Sequence, residues 1–162
     1  SSRLSMSRIR LLISLLLLVS LASCSYGFVL EGTHGWEKIA LDPSTNKTHL
    51  REAGMILDSY LESSFSSMGL ISKKVPQYSL KCSIVSTSRE RITAASLNRQ
   101  DRYRLNITVL ATLNDTGGKA VWQSTFTDQG TFSEGGVDED ALDEACRQIS
   151  LQIARAVASL TL

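Results

Sequence analysis

Histidine is nearly missing from this chain: His34 and His49 are the only two among 162 residues. That scarcity removes the side chain most used for proton transfer near neutral pH and for holding zinc. Cysteine is sparse as well, and Cys24, Cys82 and Cys146 stand too far apart for any metal-ligand spacing. No serine occupies a G-x-S-x-G setting, and neither Gly117-Gly118 nor Gly135-Gly136 has the surroundings of a phosphate loop. The one dense group of acids, Asp138–Glu144, heads an amphipathic run. Carboxylates there favour the positive end of a helix dipole over general-acid work. The sequence thus predicts no catalytic residues, no metal and no enzyme. A large surplus of base is absent too, which argues against global nucleic-acid binding. There is no internal repeat, no low-complexity tract and only one long apolar run.

That run, Leu11–Cys24, follows Arg3, Arg8 and Arg10 and closes on Leu21-Ala22-Ser23-Cys24. A positive leader, a short apolar core and small residues before a break make an export signal. The core is too short to cross a bilayer comfortably, which takes ~20 residues. The final cysteine makes the segment resemble the lipobox of bacterial lipoproteins, whose cysteine is acylated and becomes the new N-terminus. The alternative is an ordinary secretory signal followed by a chance cysteine. On the lipobox reading, residues 1–23 are a removed signal peptide, residues 24–36 a lipidated tether and residues 37–162 a single domain. Cys24 then carries an N-acyl diacylglycerol, and no other cofactor is expected. Ser25, not aspartate, follows it, which by the same likeness assigns the protein to the outer membrane, facing the periplasm. Without the three leader arginines, 14 of the 17 bases remain against 16 acids, a net charge of −2. Cys82 and Cys146 are left as a pair that either forms one disulfide outside the cytosol or stays as two buried thiols. The sequons at Asn46, Asn106 and Asn114 are irrelevant to a bacterial lipoprotein.

Periodicity fills in the domain. Trp36–Asp42 alternates as a short strand, ended by Pro43, which cannot donate to a ladder. A helix is predicted over 44–69, with Ser44, Thr45 and Asn46 as N-cap candidates and Gly69 as C-cap. Leu50, Ala53, Leu57, Leu61, Ser64 and Met68 make its stripe, and Gly54 marks close packing within it. Tyr78–Ile84 and Arg102–Leu113 alternate as strands, the second being the clearest period-two run in the chain. Asn114–Gly118 is a turn, because Gly, Asn and Asp accept positive φ. Ala120–Phe132 returns as a strand, and Asp138–Leu160 is an amphipathic helix. The order β-α-β-β-β-α predicts an α/β (α+β) two-layer sandwich: a four-stranded, mostly antiparallel sheet with two helices on one face. The other sheet face is polar and free to meet a partner.

Charge is unevenly placed. Lys73 to Arg104 holds eight bases against Glu90 and Asp101, while Asp128 to Glu144 holds seven acids and no base. Lys81, Arg102 and Arg104 fall on the polar side of their strands. Arginines on a sheet face can hold phosphate through paired hydrogen bonds. The alternative is that such charges merely keep the sheet soluble and its edges unpaired.

The order of parts resembles the LptE-like lipopolysaccharide-assembly lipoproteins. The likeness rests on the lipobox with Cys24-Ser25-Tyr26-Gly27-Phe28-Val29-Leu30, the strand around Ile39-Ala40-Leu41 and the strand Tyr103–Val109. The turn-strand Asp115–Trp122 and the closing helix complete it. Asn46-Lys47-Thr48 echoes an aromatic-Asn-Arg-Thr phrase of relatives. The resemblance implies a non-enzymatic plug of the outer-membrane β-barrel LptD. Such a plug helps the barrel assemble, binds lipopolysaccharide and assists its delivery to the outer leaflet. The expected phosphate contacts are Lys81, Arg89, Arg91, Arg102, Arg104 and, beyond the strands, Lys119. The competing reading is a lipid-anchored periplasmic regulator of a cell-wall synthase or other envelope complex, with the same fold and a protein partner.

Overall fold

The computed structural model describes residues 39–72, 74–92, 102–133 and 138–160. All belong to one compact unit, Thr33–Leu162. The expected leader, Cys24, the tether, the first residues of the Trp36 strand, Lys73, Arg99 and Gly135-Gly136 lie outside the described residues.

The elements run β1 (Ile39–Leu41), β2 (Thr45–Asn46), α1 (Ala53–Ser67), β3 (Tyr78–Ile92), β4 (Arg102–Asp115), β5 (Ala120–Ser133) and α2 (Asp138–Ala158). β3, β4 and β5 form an antiparallel meander, while β1 and β2 both pair with β3 in parallel. Among the described residues the sheet of this α+β sandwich is therefore mixed and has five strands, one more than expected.

The additional strand shortens the first helix. Thr45 and Asn46 lie against Ser83 and Ile84 of β3, and the Lys47 amide donates to the Ile84 carbonyl at 3.0 Å. Ser44, Thr45 and Asn46 do not cap α1; Glu52 stands at its N-cap and makes no side-chain cap bond. Asn46 instead builds a turn. Its Oδ1 accepts from the Thr48 amide at 2.9 Å and the Thr48 hydroxyl at 2.7 Å, and its Nδ2 donates to the Leu50 carbonyl at 2.6 Å. Ser44 donates through its amide and its hydroxyl to Asp58 of α1, at 3.0 and 2.5 Å, tying strand to helix. Residues that cap helices serve turns equally well, because the same short side chain reaches nearby backbone either way.

α1 ends as expected at Gly69, with φ of 66°, where the Leu70 amide reaches the Phe65 carbonyl at 2.9 Å. The β4–β5 turn closes with Gly118 at φ 80°, and Asp115 Oδ1 accepts from the Gly117 and Lys119 amides.

One face of the sheet carries the core. Leu80, Cys82 and Ile84 of β3 and Leu105, Ile107, Val109, Ala111 and Leu113 of β4 are buried against Leu57, Leu61 and Phe65 of α1. Ala145, Ile149, Ile153 and Val157 of α2 complete the layer. Full burial of each larger side chain contributes roughly 1.5–3 kcal/mol. Where the helices touch, Ser64 and Ser150 share a buried hydrogen bond of 3.2 Å, and the Tyr60 hydroxyl donates to Asp143 at 2.6 Å. Cys82 and Cys146 sit in this layer as free, buried thiols, and the bridge raised as one alternative is not formed.

Two local features decide which side chains reach which face. The β3–β4 register shifts between Ile84 and Ser86, so Val85 is an extra residue. After it, Thr87, Arg89 and Arg91 stand opposite Ile107, Leu105 and Tyr103, on the helix side of the sheet. The second feature is Gly130, buried on β5. A Cβ there would lie 1.9 Å from the Ala141 carbonyl oxygen. The first turn of α2 thus rests directly on strand backbone.

Candidate ligand-binding face of the sheet

The face away from the helices is built from alternate residues of the three long strands. Its centre is uncharged, with hydroxyl and amide side chains set around the half-buried Leu110. Asn106 Nδ2 donates to Ser88 Oγ at 3.3 Å, and the Thr108 and Thr127 hydroxyls bond across β4 and β5 at 3.1 Å. Short side chains make most of this surface polar.

The expected phosphate contacts do not converge on it as one cluster. Arg102 and Arg104 share this face at one end, two residues apart and so about 7 Å along β4. Lys81 is exposed on the same face but stands opposite Thr112, eight residues from Arg104, about 27 Å along the strand. Lys119 is exposed in the β4–β5 turn, at the end nearer Lys81. Arg89 and Arg91 were expected to join them, yet the bulge at Val85 turns both to the helix side.

Arg89 has an evident structural task there. Its guanidinium pairs with the Asp138 carboxylate at the start of α2 and lies 5.5 Å over the Phe132 ring. Phe132 in turn stacks on Tyr103 with ring centroids 5.4 Å apart. One side chain thereby joins β3, β5 and the acidic N-terminus of α2. Half of it remains exposed, which keeps the ion pair in the weak, solvent-screened class.

Arg104 carries the clearest signs of a binding group. Its Nη1 is 3.7 Å from Glu90 Oε2, longer than a hydrogen bond, and its Nε is enclosed without a hydrogen-bond partner among the described residues. An enclosed donor lacking an acceptor is costly, while 38% of the side chain stays exposed and open to an anion. Glu90 is the contact that sequence reasoning missed. Cross-strand register sets it beside Arg104, and register beyond Ile84 was hidden by the bulge.

The clefts offer less to a phosphorylated ligand. One of about 430 Å³ lies between β1 and α1, where Asp42, Asp58 and Glu62 surround the apolar Ile39, Leu61 and Ile71. Three carboxylates repel phosphate. His49 lines another, about 340 Å³, with Arg51, Glu52, Asp138 and Glu139. No group of three or more His, Cys, Asp or Glu able to hold a metal occurs among the described residues. Burial pushes the thiols of Cys82 and Cys146 up to about 12, so neither is a ready nucleophile. The Tyr60 phenol is also raised, first by its hydrogen bond to Asp143. No helix of the described residues is long and apolar enough to cross a membrane.

Comparison with known proteins adds a family. The sequence model described as Lipopolysaccharide-assembly, LptE, matches residues 36–157. No curated protein sequence matches the chain. Among solved structures, a minor lipoprotein from Acinetobacter baumannii is similar at a TM-score of 0.52 and 13% identity, covering 77% of this chain and 94% of that one. A PelC dodecamer from Paraburkholderia phytofirmans is similar at a TM-score of 0.52 and 15% identity, covering 77% and 89%. At such identities the likeness is one of fold.

Proposed function

Because the chain belongs to the lipopolysaccharide-assembly family, LptE, we propose that it acts as an outer-membrane lipoprotein that plugs and helps assemble an LptD-type β-barrel. In this role it binds lipopolysaccharide and passes it toward the outer leaflet, with no catalytic step of its own. The family match over residues 36–157 is the observation that carries this reading.

The physical arrangement agrees with it. A water-lined barrel lumen is polar, and the mostly hydroxyl- and amide-bearing sheet face is a surface that such a wall can meet. Arg102 and Arg104 offer two guanidinium groups side by side to the phosphates of the glycolipid. Lys81 and Lys119 are a separate pair of charges for a second phosphate or for the partner. Lipid on Cys24 holds the domain at the periplasmic surface, and with two or more acyl chains the anchoring is stable.

Glycolipid binding by the double variant Arg102→Glu, Arg104→Glu tests the phosphate contact. Binding at low salt should fall at least tenfold, equivalent to about 1.4 kcal/mol, with the melting temperature little changed. Undiminished binding removes the arginine pair from the mechanism.

A further inference from the structure

The end of the domain at which β1 begins combines exposed lysine with exposed aliphatic side chains. β1 and β3 start there side by side, since Ile39 pairs with Tyr78 in parallel, and Tyr78 in turn faces Asp115 at the close of β4. The loop before β3 and the turn between β4 and β5 therefore project together, and Pro76, Gln77, Asp115 and Thr116 share a hollow of about 270 Å³. Three large apolar side chains are exposed among the described residues, and two of them stand at this end. Val75 is 82% exposed on the loop, and Val121 follows the turn as the extra residue of the β4–β5 register shift. Each has an exposed lysine close by in the chain, Lys74 and Lys119. Asp115 is the one acid in segments 74–78 and 115–121, and its Oδ1 is engaged by the Gly117 and Lys119 amides. The cleft carboxylates lie deeper: Asp42 is past the Leu41–Leu80 pair, and Asp58 and Glu62 are at least a turn before α1 ends at Ser67. Ammonium groups beside exposed aliphatic tips suit an anionic bilayer surface, where the charges stay with the phosphates and the tips enter below them.

The place where the chain enters the domain selects the occupant. Cys24 stands 15 residues ahead of Ile39, so lipid on it lies no more than about 54 Å from this end. Arg102, at the opposite end, is about 44 Å further along β4 from Asp115. We propose that Lys74, Val75 and Lys119 seat this end of the domain on the anionic phospholipid surface that holds the Cys24 lipid. The proposal rests on that lipid and not on the barrel. The contact needs little affinity of its own, because the anchor makes it intramolecular. Each lysine near an anionic surface favours it about fivefold. Seated in this way, the domain stands with its strands pointing away from the membrane, and Arg102 and Arg104 are held at the far end.

The mature protein, purified in detergent and reconstituted into vesicles, tests the contact. Val75→Cys supplies one reactive thiol for an environment-sensitive label, since Cys82 and Cys146 are buried. Thr131→Cys, exposed and about 36 Å along β5 from Ala120, is the control. In vesicles rich in phosphatidylglycerol, the label at position 75 should be quenched by lipids brominated in their acyl chains, and the label at position 131 should not. In pure phosphatidylcholine, or with Lys74→Glu and Lys119→Glu together, the seated-to-free ratio should fall at least tenfold, with circular dichroism unchanged. Mass spectrometry of the mature N-terminus reads the anchor separately. A protein found without acyl chains refutes the anchor, and its flotation with phosphatidylglycerol vesicles must then still depend on Lys74 and Lys119. An unquenched label at position 75, equal quenching at position 131, or indifference to lipid charge or to the double variant overturns the proposal. Quenching that appears only when lipopolysaccharide is added also overturns it, and assigns the lysines to glycolipid phosphate.

Discussion

Gly130→Ala is the sharpest test of how α2 sits on the sheet. The new methyl carbon would lie 1.9 Å from the Ala141 carbonyl oxygen and 2.6 Å from its carbonyl carbon and Cα. Ordinary carbon–oxygen contact needs about 3.3 Å or more, so strand and helix must separate by more than 1 Å. The obstacle is backbone and cannot rotate away. Separation would loosen Ala141, Leu142 and Ala145, which are 0–4% exposed. Overpacking of this kind costs roughly 1–3 kcal/mol, and a rigid obstacle places it at the upper end. Removing glycine from a strand interior returns about 0.5–1 kcal/mol through backbone entropy. The net expectation is a loss of roughly 2 kcal/mol, a fall in melting temperature of about 8 °C for a domain of this size. Gly54→Ala is the control, since the atoms nearest its added methyl are 3.7 Å away. It should be neutral or stabilising by up to ~1 kcal/mol, as expected for alanine in a helix. Thermal and urea unfolding followed by circular dichroism reads both. A Gly130→Ala protein as stable as the parent would refute the close approach of α2 to β5.

Three further outcomes are expected. Arg89→Gln loses the Asp138 pair and the Phe132 contact, and should cost about 1 kcal/mol in urea unfolding while leaving glycolipid binding unchanged, because the side chain faces away from the polar surface. A parallel loss of binding would show that the helix side also meets ligand. Cys82 and Cys146, held up to about 12 from 9.0 chiefly by burial, retain their protons in the fold at a pH where the unfolded chain releases them. Their contribution is therefore complete below pH 9 and declines as pH rises from 9 toward 12, so unfolding free energy should fall across that window and alkylation at neutral pH should require denaturant. Rapid labelling of the native protein would contradict it. Cys24→Ser should leave the chain unprocessed or mislocalised in membrane fractionation, whereas normal outer-membrane recovery would exclude lipid as the anchor.

What the sequence made legible follows from how local each signal is. The alternation of Tyr103 to Leu113, the stripe of α2 and the Asn114–Gly118 turn each depend on neighbours within a few residues, and all three stand where they were expected. The far half of β3 was not legible. After Ile84 the alternation dissolves into serine, threonine and charge, and only pairing with β4 keeps Ser86 to Ile92 extended. Two adjacent apolar residues, Ile84 and Val85, were the trace of the bulge, and they decide the face of Arg89 and Arg91. β2 escaped notice because two residues make no period, and its hydrogen bonds go to a strand almost 40 residues away. Gly130, an isolated glycine inside a strand pattern, was the available sign of close backbone approach. Of the six expected cationic contacts, Arg102 and Arg104 were placed by alternation alone. The separation of Lys81 from them needed the register.

The central claim concerns the partner, and crosslinking in intact outer membranes followed by recovery of this chain measures it most directly. The account predicts a large LptD-type β-barrel, joined through residues of the polar sheet face such as Thr108 or Thr127. Recovery of a cell-wall synthase in its place, with no barrel, would contradict it.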